Sequence, residues 1–457
     1  MKTSTISDMT AGNPVKLMLQ FMVPVCLGNI FQQLYNIADS MIAGQFIGVD
    51  ALAAIGSTGS LMFMVTGWIN GLSSGFSILA SQCFGAGKYD RMRHYTAMSV
   101  LLMTGITVLM TIGLEIVNEP ILKLMHSPDE LLGDIKGYMG VIYAGLLVTA
   151  AYNFLACMLR ALGDSRSPLY FLMVSAAVNV ILDIVFIVCF NMGVIGCGYA
   201  TVIAQGISAL LCFIYIIKRF PILHLKREDF AVSADSMKKL LALGIPMGLQ
   251  FSITGIGTII VQGAVNIYGA VYIAGFSAGI KIQNLVEAVF MSFGATIATY
   301  SGQNWGAGRA DRVRQGVRRM QLMILAWSVA MMAVIYLFGK YLVLIFVDAS
   351  QQEVIRIAQI FFRSVLWCYP FLGSILLYRN VLQGMGVGLV PMLGGVFELI
   401  ARAAVVVAVA GRGTFAQVCL SSPAAWIAAL IPLVPYYLYI MRNVEKRKGE
   451  GMGENKA

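Results

Sequence analysis

The stretch SQCFGAGKYDRMRH, at residues 81–94, returns as GQNWGAGRADRVRQ at residues 302–315, with seven of fourteen positions identical. A second pair, LRALGDSRSP at 159–168 and LQGMGVGLVP at 382–391, shares Leu, Gly and Pro. The two pairs have offsets of 221 and 223 residues. Because these offsets are nearly equal, we predict that the chain consists of two tandem repeats.

The sequence around these motifs is too apolar for a soluble protein. Hydrophobic residues make up 58% of the 457 residues, charged residues only 12%, and the mean hydropathy is +0.79. A soluble domain has about 25% charged residues. Apolar segments of about twenty residues or more suit membrane helices, whereas barrel strands need about ten. We therefore predict an all-α integral membrane protein with twelve transmembrane helices, at 15–43, 52–80, 95–115, 135–160, 167–190, 194–217, 237–268, 272–301, 317–338, 355–379, 390–410 and 415–441.

The basic residues predict the orientation of these spans. If the N-terminus is cytoplasmic, only five of the 32 Lys and Arg residues fall in outer loops, and three lie inside helices. Cytoplasmic loops of membrane proteins are enriched in Lys and Arg. We therefore expect both termini in the cytoplasm, and we attribute the net charge of +10 to the membrane rather than to nucleic acid. The five outer residues are Lys123, Lys136, Lys340, Arg356 and Arg412, and the three within helices are Lys281, Arg363 and Arg402.

The repeats define the predicted domains. With six spans each, both halves enter the membrane from the same side, as parallel repeats related by a pseudo-two-fold axis along the membrane normal. We predict an N-lobe at 1–217 with spans 1–6, a polar cytoplasmic linker at 218–239, and a C-lobe at 240–457 with spans 7–12. Transporters with such repeats bind their substrates between or within the halves.

Two carboxylates lie inside predicted spans of the first half. Asp39 is near the outer end of span 1 and Asp183 is in span 5, and a buried charge of this kind costs about 2.5–3.5 kcal/mol on insertion scales. Asn179 shares a helix face with Asp183, and Thr201 on span 6 has a similar depth. These four residues suit a hard cation such as Na⁺, or a carboxylate pair sharing a proton. The alternative is that both acids only bond to neighbouring helices.

Further polar residues within spans are candidates for a substrate pocket. Gln32 and Asn36 form a polar stripe with Asp39 on span 1. The other candidates are Asn70, Asn153 and Glu287.

The second half has a different set of charges. The repeat offset maps Asp183 onto Val406 and Asn179 onto Arg402, so the acidic pair is absent. Glu398 and Arg402 are one turn apart on span 11, and we predict a buried structural pair. Lys281 and Glu287 are six residues apart and cannot be paired from the sequence.

Motifs of enzymes are incomplete in this sequence. GLSSG at 71–75 fits the G-x-S-x-G pattern but lies within an apolar span, and the three histidines are predicted in loops. GAGK at 85–88 lacks the spaced first glycine and the Ser or Thr of a P-loop. We therefore expect no enzyme, and the repeat also disfavours a membrane receptor.

Taken together, these features resemble the MATE (multidrug and toxic compound extrusion) family. The likeness covers nearly the whole chain and rests on the two six-helix halves, Pro24 and Asp39 on span 1, the GAG motifs after spans 2 and 8, RALGDSRSP after span 4 and NVILD on span 5. It implies a secondary active exporter of lipophilic, often cationic drug-like compounds in the bacterial cell membrane, that is, the inner or plasma membrane. Export would be driven by Na⁺ or H⁺ antiport with alternating access, without another cofactor, and we expect a monomer.

The resemblance also implies roles for individual residues. In the DinF-like branch, the residues matching Asp39, Asn179, Asp183 and Thr201 form the coupling site, and span 1 bends at the residue matching Pro24. Another branch has acidic residues on spans 7 and 10, where this chain has Gln250 and no carboxylate. The alternative function on the same superfold is a flippase for a lipid-linked or amphipathic substrate, which is expected to have a more cationic cavity.

Overall fold

The structure is a computed structural model of the chain. It describes residues 8–47, 49–124, 130–409 and 413–453, with the side chains of 34–40, 43, 49–57, 60, 124 and 447–453 left out. Regular secondary structure in these ranges is entirely helical. The α-helices are α1 (Pro14–Phe46), α2 (Val49–Gly85), α3 (Tyr89–Leu124), α4 (Leu132–Ala144), α5 (Leu146–Ala161), α6 (Arg166–Ile184), α7 (Gly193–Arg219), α8 (Ala234–Asn266), α9 (Ala270–Gly306), α10 (Ala310–Val343), α11 (Gln352–Val365), α12 (Tyr369–Gly384), α13 (Leu389–Val409), α14 (Phe415–Cys419) and α15 (Ser421–Gly453).

Each predicted span falls on one of these helices or on two consecutive ones. Within the described residues, nine stretches are long and apolar enough to cross a membrane, and α4 with α5 forms a tenth that is bent by 48°. The remaining two predicted spans lie on α2 and α9, which are 37 residues long each. The predicted all-α membrane fold is confirmed.

The repeat is visible in the turns between helices. Gly87 follows α2 with a φ of +67°, and its repeat equivalent Gly308 follows α9 with a φ of +71°. The second motif behaves in the same way, since Gly163 and Gly386 have φ values of +84° and +90°. Glycine adopts this left-handed conformation without steric cost. The two motifs therefore recur because each forms the same tight turn in both halves.

The chain divides into two compact units. In the described residues, unit 1 contains Asp8 and Val23–Phe251, and unit 2 contains Met9–Met22 and everything from Ser252 onwards. The first helix of each half therefore starts in one unit and ends in the other. The lobes predicted from the repeat, with their boundaries at 217 and 240, stay a prediction.

Glycines allow a close helix crossing within unit 1. An added Cβ at Gly71 of α2 would lie 2.5 Å from the Cα of Gly248 on α8, and one at Gly75 would lie 2.6 Å from the Cα of Gly244. Small residues spaced by four let membrane helices approach closely. The GLSSG sequence thus belongs to a packing surface, which explains why it matches a hydrolase pattern without the rest of an active site.

Candidate functional site

A buried polar site lies in unit 1, where α6 packs against α7. Asn179 and Asp183 lie one turn apart on α6, and both side chains are fully buried. Thr201 lies on α7, with its hydroxyl 3.5 Å from the side-chain nitrogen of Asn179. The structure thus brings together three of the four residues predicted to bind the coupling cation.

The amide of Asn179 bridges its two neighbours. When Nδ2 is turned towards Asp183, it donates to Oδ2 at 3.0 Å, and Oδ1 accepts from the backbone N–H of Thr201 at 3.2 Å. This orientation is assigned from the hydrogen-bond network, because it satisfies both ends of the amide. The amide of Asn179 thus orients the Asp183 carboxylate through a hydrogen bond from a neutral donor.

The backbone of α6 changes its geometry directly after Asp183. The α-helix ends at Ile184 and continues as a π-helix over Val185–Cys189. Short π-helical segments are rare and are frequently found at functional sites. Sequence reasoning missed this feature, because the segment VFIVC is uniformly apolar and its periodicity carries no signal.

The fourth predicted ligand belongs to α1. Asp39 and the pocket candidate Asn36 lie on this helix, but their side chains are outside the described residues. Their proximity to Asp183 stays a prediction. Pro24 is buried inside α1, where it lacks the N–H that a helical hydrogen bond requires. Its role as a hinge also stays a prediction.

The other pocket candidates of the first half differ in their environments. Gln32 is exposed and Asn70 is half-buried. Asn153 donates from Nδ2 to the carbonyl of Thr149 at 2.8 Å, and the hydroxyl of Thr149 donates to Oε1 of Gln205 at 2.5 Å. Asn153 therefore belongs to a polar chain between α5 and α7. Thr149 and Gln205 were missed, although both are polar residues inside predicted spans.

A network of charged side chains lies in unit 2. Arg402 donates from Nη2 to Oε1 of Glu398 at 2.7 Å, as the spacing on span 11 predicts. A third residue joins this pair, because Arg379 on α12 donates from Nη2 to Oε2 of Glu398 at 3.2 Å. Glu398 and Arg379 are buried, and one carboxylate is thus shared by two guanidinium groups.

The predicted end of span 10 is wrong, because the prediction ended this span at Arg379 and counted the residue with the cytoplasmic loops. Helix α12 continues to Gly384, so Arg379 lies five residues, or about 7.5 Å, inside its end. The second repeat motif could have shown that the helix continues past Arg379, because the turn after this helix lies within LQGMG at 382–386.

Glu287 and Lys281 have separate surroundings in unit 2. Glu287 on α9 is half-buried and close enough to Glu398, Arg402 and Arg379 to interact electrostatically with all three. The ammonium of Lys281 instead lies over the ring of Phe346, 5.3 Å from its centroid. These two residues do not form an ion pair with each other. Contact of Glu287 with substrate stays a prediction.

A polytopic helical membrane protein with two repeats and buried polar groups inside its spans has the architecture of a secondary transporter. The sequence matches the MatE family model over residues 24–185 and 246–408, which is more than half of the chain. The protein therefore belongs to the MATE family of multidrug efflux transporters, and it is not an enzyme.

Relatives with curated names agree with this assignment. The chain is 29% identical over 383 residues to the probable multidrug resistance protein YpnP of Bacillus subtilis, covering 83% of this chain and 84% of that protein. It is 24% identical over 385 residues to the probable multidrug resistance protein NorM of Thermotoga maritima, covering 83% and 82%.

The fold is also similar to solved structures. A multidrug resistance MATE family transporter of the MOP superfamily, in an outward-facing conformation, matches with a TM-score of 0.90. The match covers 97% of this chain and 99% of that one at 20% identity. A second structure, described as MATE in the bent conformation, matches with a TM-score of 0.89 and covers 98% and 99% at 19% identity.

Proposed function

We propose that the protein exports lipophilic, cationic organic compounds by antiport with Na⁺ or H⁺, and that the coupling cation binds at Asp39, Asn179, Asp183 and Thr201. The observation that carries this proposal is the environment of Asp183. Its carboxylate is fully buried inside a span and is contacted by the neutral amide of Asn179. An ionisable group at this depth is costly and marks an ion or substrate pathway.

Competition at this site would couple the two fluxes. A cation that binds Asp183 neutralises the charge that otherwise attracts a cationic substrate, so that each ligand lowers the affinity for the other. Such coupling is reciprocal by thermodynamic necessity. The names of the relatives support multidrug export, and they give the flippase alternative no support.

The experiment is efflux of a fluorescent organic cation from proteoliposomes under an imposed Na⁺ or pH gradient. We expect efflux to follow at least one gradient and to fall to the level of empty liposomes with Asp183→Asn. Glu115→Gln is the control, because Glu115 is an exposed acid on α3 in the same unit. An efflux rate that changes with neither the Na⁺ gradient nor the pH gradient would contradict antiport.

We further propose that the protein lies in the bacterial cell membrane, inner or plasma, as a monomer with both termini in the cytoplasm. In a cysteine-free background, Asn191→Cys should react with an impermeant thiol reagent from outside, and Glu228→Cys should not. Both positions are exposed, so that burial does not limit the reaction. The opposite labelling would reverse the orientation.

A further inference from the structure

The motif repeated at 81–94 and 302–315 lies outside the proposed cation site, and its side chains make contacts of their own. In unit 2, the end of α9 and the start of α10 hold the residues that precede α1. The N–H of Met9 donates to Oε1 of Gln303 at 2.9 Å, and Asn304 donates from Nδ2 to the carbonyl of Met9 at 3.0 Å. Met9, Gln303 and Asn304 are all fully buried.

Arg312 completes this contact with three separate donors. Its Nη2 donates to the carbonyl of Met9 at 3.1 Å, and its Nη1 donates to the carbonyl of Gly12 at 3.0 Å. Its Nε donates to Oδ1 of Asn304 at 2.9 Å, which orients the asparagine that binds Met9. Charge-assisted hydrogen bonds of this kind are about twice as strong as neutral ones. The segment before α1 is therefore held firmly on unit 2.

The first copy of the motif also contacts the start of a helix in unit 1, through residues at other positions of the motif. His94, predicted in a loop, lies near the start of α3 and engages the residues around the beginning of α8. Its Nδ1 is 3.1 Å from the carbonyl of Asp229, and its Nε2 is 3.0 Å from the hydroxyl of Ser236. The guanidinium of Arg93 lies 3.6 Å from the Asp229 carboxylate. This contact also holds residues around the start of a helix, but different side chains make it.

The two held segments occupy equivalent positions of the repeat, although the residues that hold them do not, because Arg312 aligns with Arg91 and not with Arg93 or His94. Asn13 caps α1 by accepting from the N–H of Val15, and Ser233 caps α8 by accepting from the N–H of Ser236. In each half, the residue that the motif holds, Met9 or Asp229, lies four positions before this cap. Side-chain caps of this kind define the start of a helix. The motif of each unit thus holds the start of a helix whose other end belongs to the other unit.

We propose that the two motifs act as latches for the helix starts: they stabilise the conformation described here and are released when the transporter changes its conformation. The principal latch consists of Gln303, Asn304 and Arg312 on Met9 and Gly12, and the second consists of Arg93 and His94 on Asp229 and Ser236. Helix α1 passes from unit 2 to unit 1 between Met22 and Val23, next to Pro24. Any movement of one unit must therefore bend this helix or free its start.

Hydrogen–deuterium exchange and spin-label distances on the full chain in nanodiscs test this proposal. With Arg312→Gln, amides of residues 9–17 should exchange about 10-fold to 100-fold faster, because bonds to a charged group are lost. Spin labels at Glu228→Cys and Arg319→Cys, in a cysteine-free background, report a distance distribution. In Arg312→Gln this distribution should contain a larger share of a distance that is minor in the parent protein. Neither readout depends on the substrate or on the coupling ion, so that failure here is distinct from failure of the proposed antiport.

Arg314→Gln is the matched control, since Arg314 belongs to the same motif but pairs with Glu445 on the surface. It should change neither readout. Arg312→Lys keeps the charge but lacks the planar guanidinium group that reaches three acceptors. It replaces Arg312→Gln if the glutamine variant does not fold, and it should accelerate exchange at residues 9–17 relative to the parent. His94→Ala should accelerate exchange at residues 229–237 in the same way.

Unchanged exchange at residues 9–17 in Arg312→Gln, or in Arg312→Lys where only that variant folds, would show that the motif holds nothing and would overturn the proposal. Faster exchange with an unchanged distance distribution would also overturn it, because the contact would then be structural only.

Discussion

The two halves of this transporter place charged groups in the membrane in opposite ways. In the first half, the Asp183 carboxylate lies beside the neutral amide of Asn179 and close to Thr201. In the second half, the Glu398 carboxylate accepts from both Arg379 and Arg402. The Asp183 carboxylate is thus contacted by a neutral amide, whereas the Glu398 carboxylate is contacted by two cationic guanidinium groups.

A few positions on one helix face account for this difference. The repeat offset aligns Asn179 with Arg402 and Asp183 with Val406. An amide at the first position orients a carboxylate, and a guanidinium at the same position neutralises one. Both halves thus keep the glycine turns of the two motifs, whereas the contacts of their buried carboxylates differ.

The largest effect is expected from removing the charge of the first half. Asp183→Asn should abolish gradient-driven efflux, because asparagine has no negative charge to attract Na⁺ and cannot take up or release a proton. Its melting temperature should change little, since asparagine has the same shape and can still bond to Asn179. Efflux per folded protein, measured beside thermal melting, checks this. Full efflux by this variant would remove Asp183 from the mechanism.

Breaking the network of the second half should lower stability instead. Glu398→Gln leaves the buried Arg379 and the half-buried Arg402 without their shared carboxylate, and losing one partner of a buried pair costs about 3–5 kcal/mol. The variants that fold should retain efflux coupled to the cation gradient.

The third member of the network alters the expected rescue. Combining Glu398→Gln with Arg402→Met still leaves Arg379 buried, so this double variant should recover only part of the lost stability. Adding Arg379→Met should recover most of the rest. Mutant cycles on the melting temperature measure these couplings. Complete rescue by the double variant would show that Arg379 contributes nothing to the network.

Smaller effects are expected from the neutral groups around Asp183. Thr201→Ala or Asn179→Ala should raise the cation concentration for half-maximal efflux by about tenfold, as loss of one hydrogen bond or ligand implies. Ser175→Ala is the control, because Ser175 lies on the same helix and donates to the carbonyl of Ala204. An equal change in the control would point to a general loosening of α6.

The smallest effect is expected at the exposed ion pairs. Glu119 bonds to Lys123 at 2.6 Å and to Lys136 at 2.8 Å on the surface. Exposed pairs contribute little, because water and salt screen them. Glu119→Gln should therefore leave both efflux and melting temperature within experimental error. A clear loss would show that surface charge matters more than the buried groups compared above.

Much of this architecture could be predicted because it depends on local chemistry. Span length, basic loops and the repeated GAG turns are written in the sequence, and so is the i to i+4 spacing of Asn179 with Asp183 and of Glu398 with Arg402. The contact of Arg379 with Glu398 was not predictable in the same way, because it joins two helices whose packing no spacing reveals. The π-helix after Asp183 and the hold of Arg312 on Met9 depend likewise on tertiary structure.

If substrate and coupling cation compete at the Asp183 site, as we propose, addition of substrate must release the bound cation. Purified protein loaded with labelled Na⁺, or followed with a pH indicator, receives a cationic substrate. We predict that the parent and the Glu398→Gln, Arg402→Met, Arg379→Met triple variant release the ion, while Asp183→Asn does not. Release by Asp183→Asn, together with its loss in the triple variant, would contradict the account and assign the coupling site to the second half.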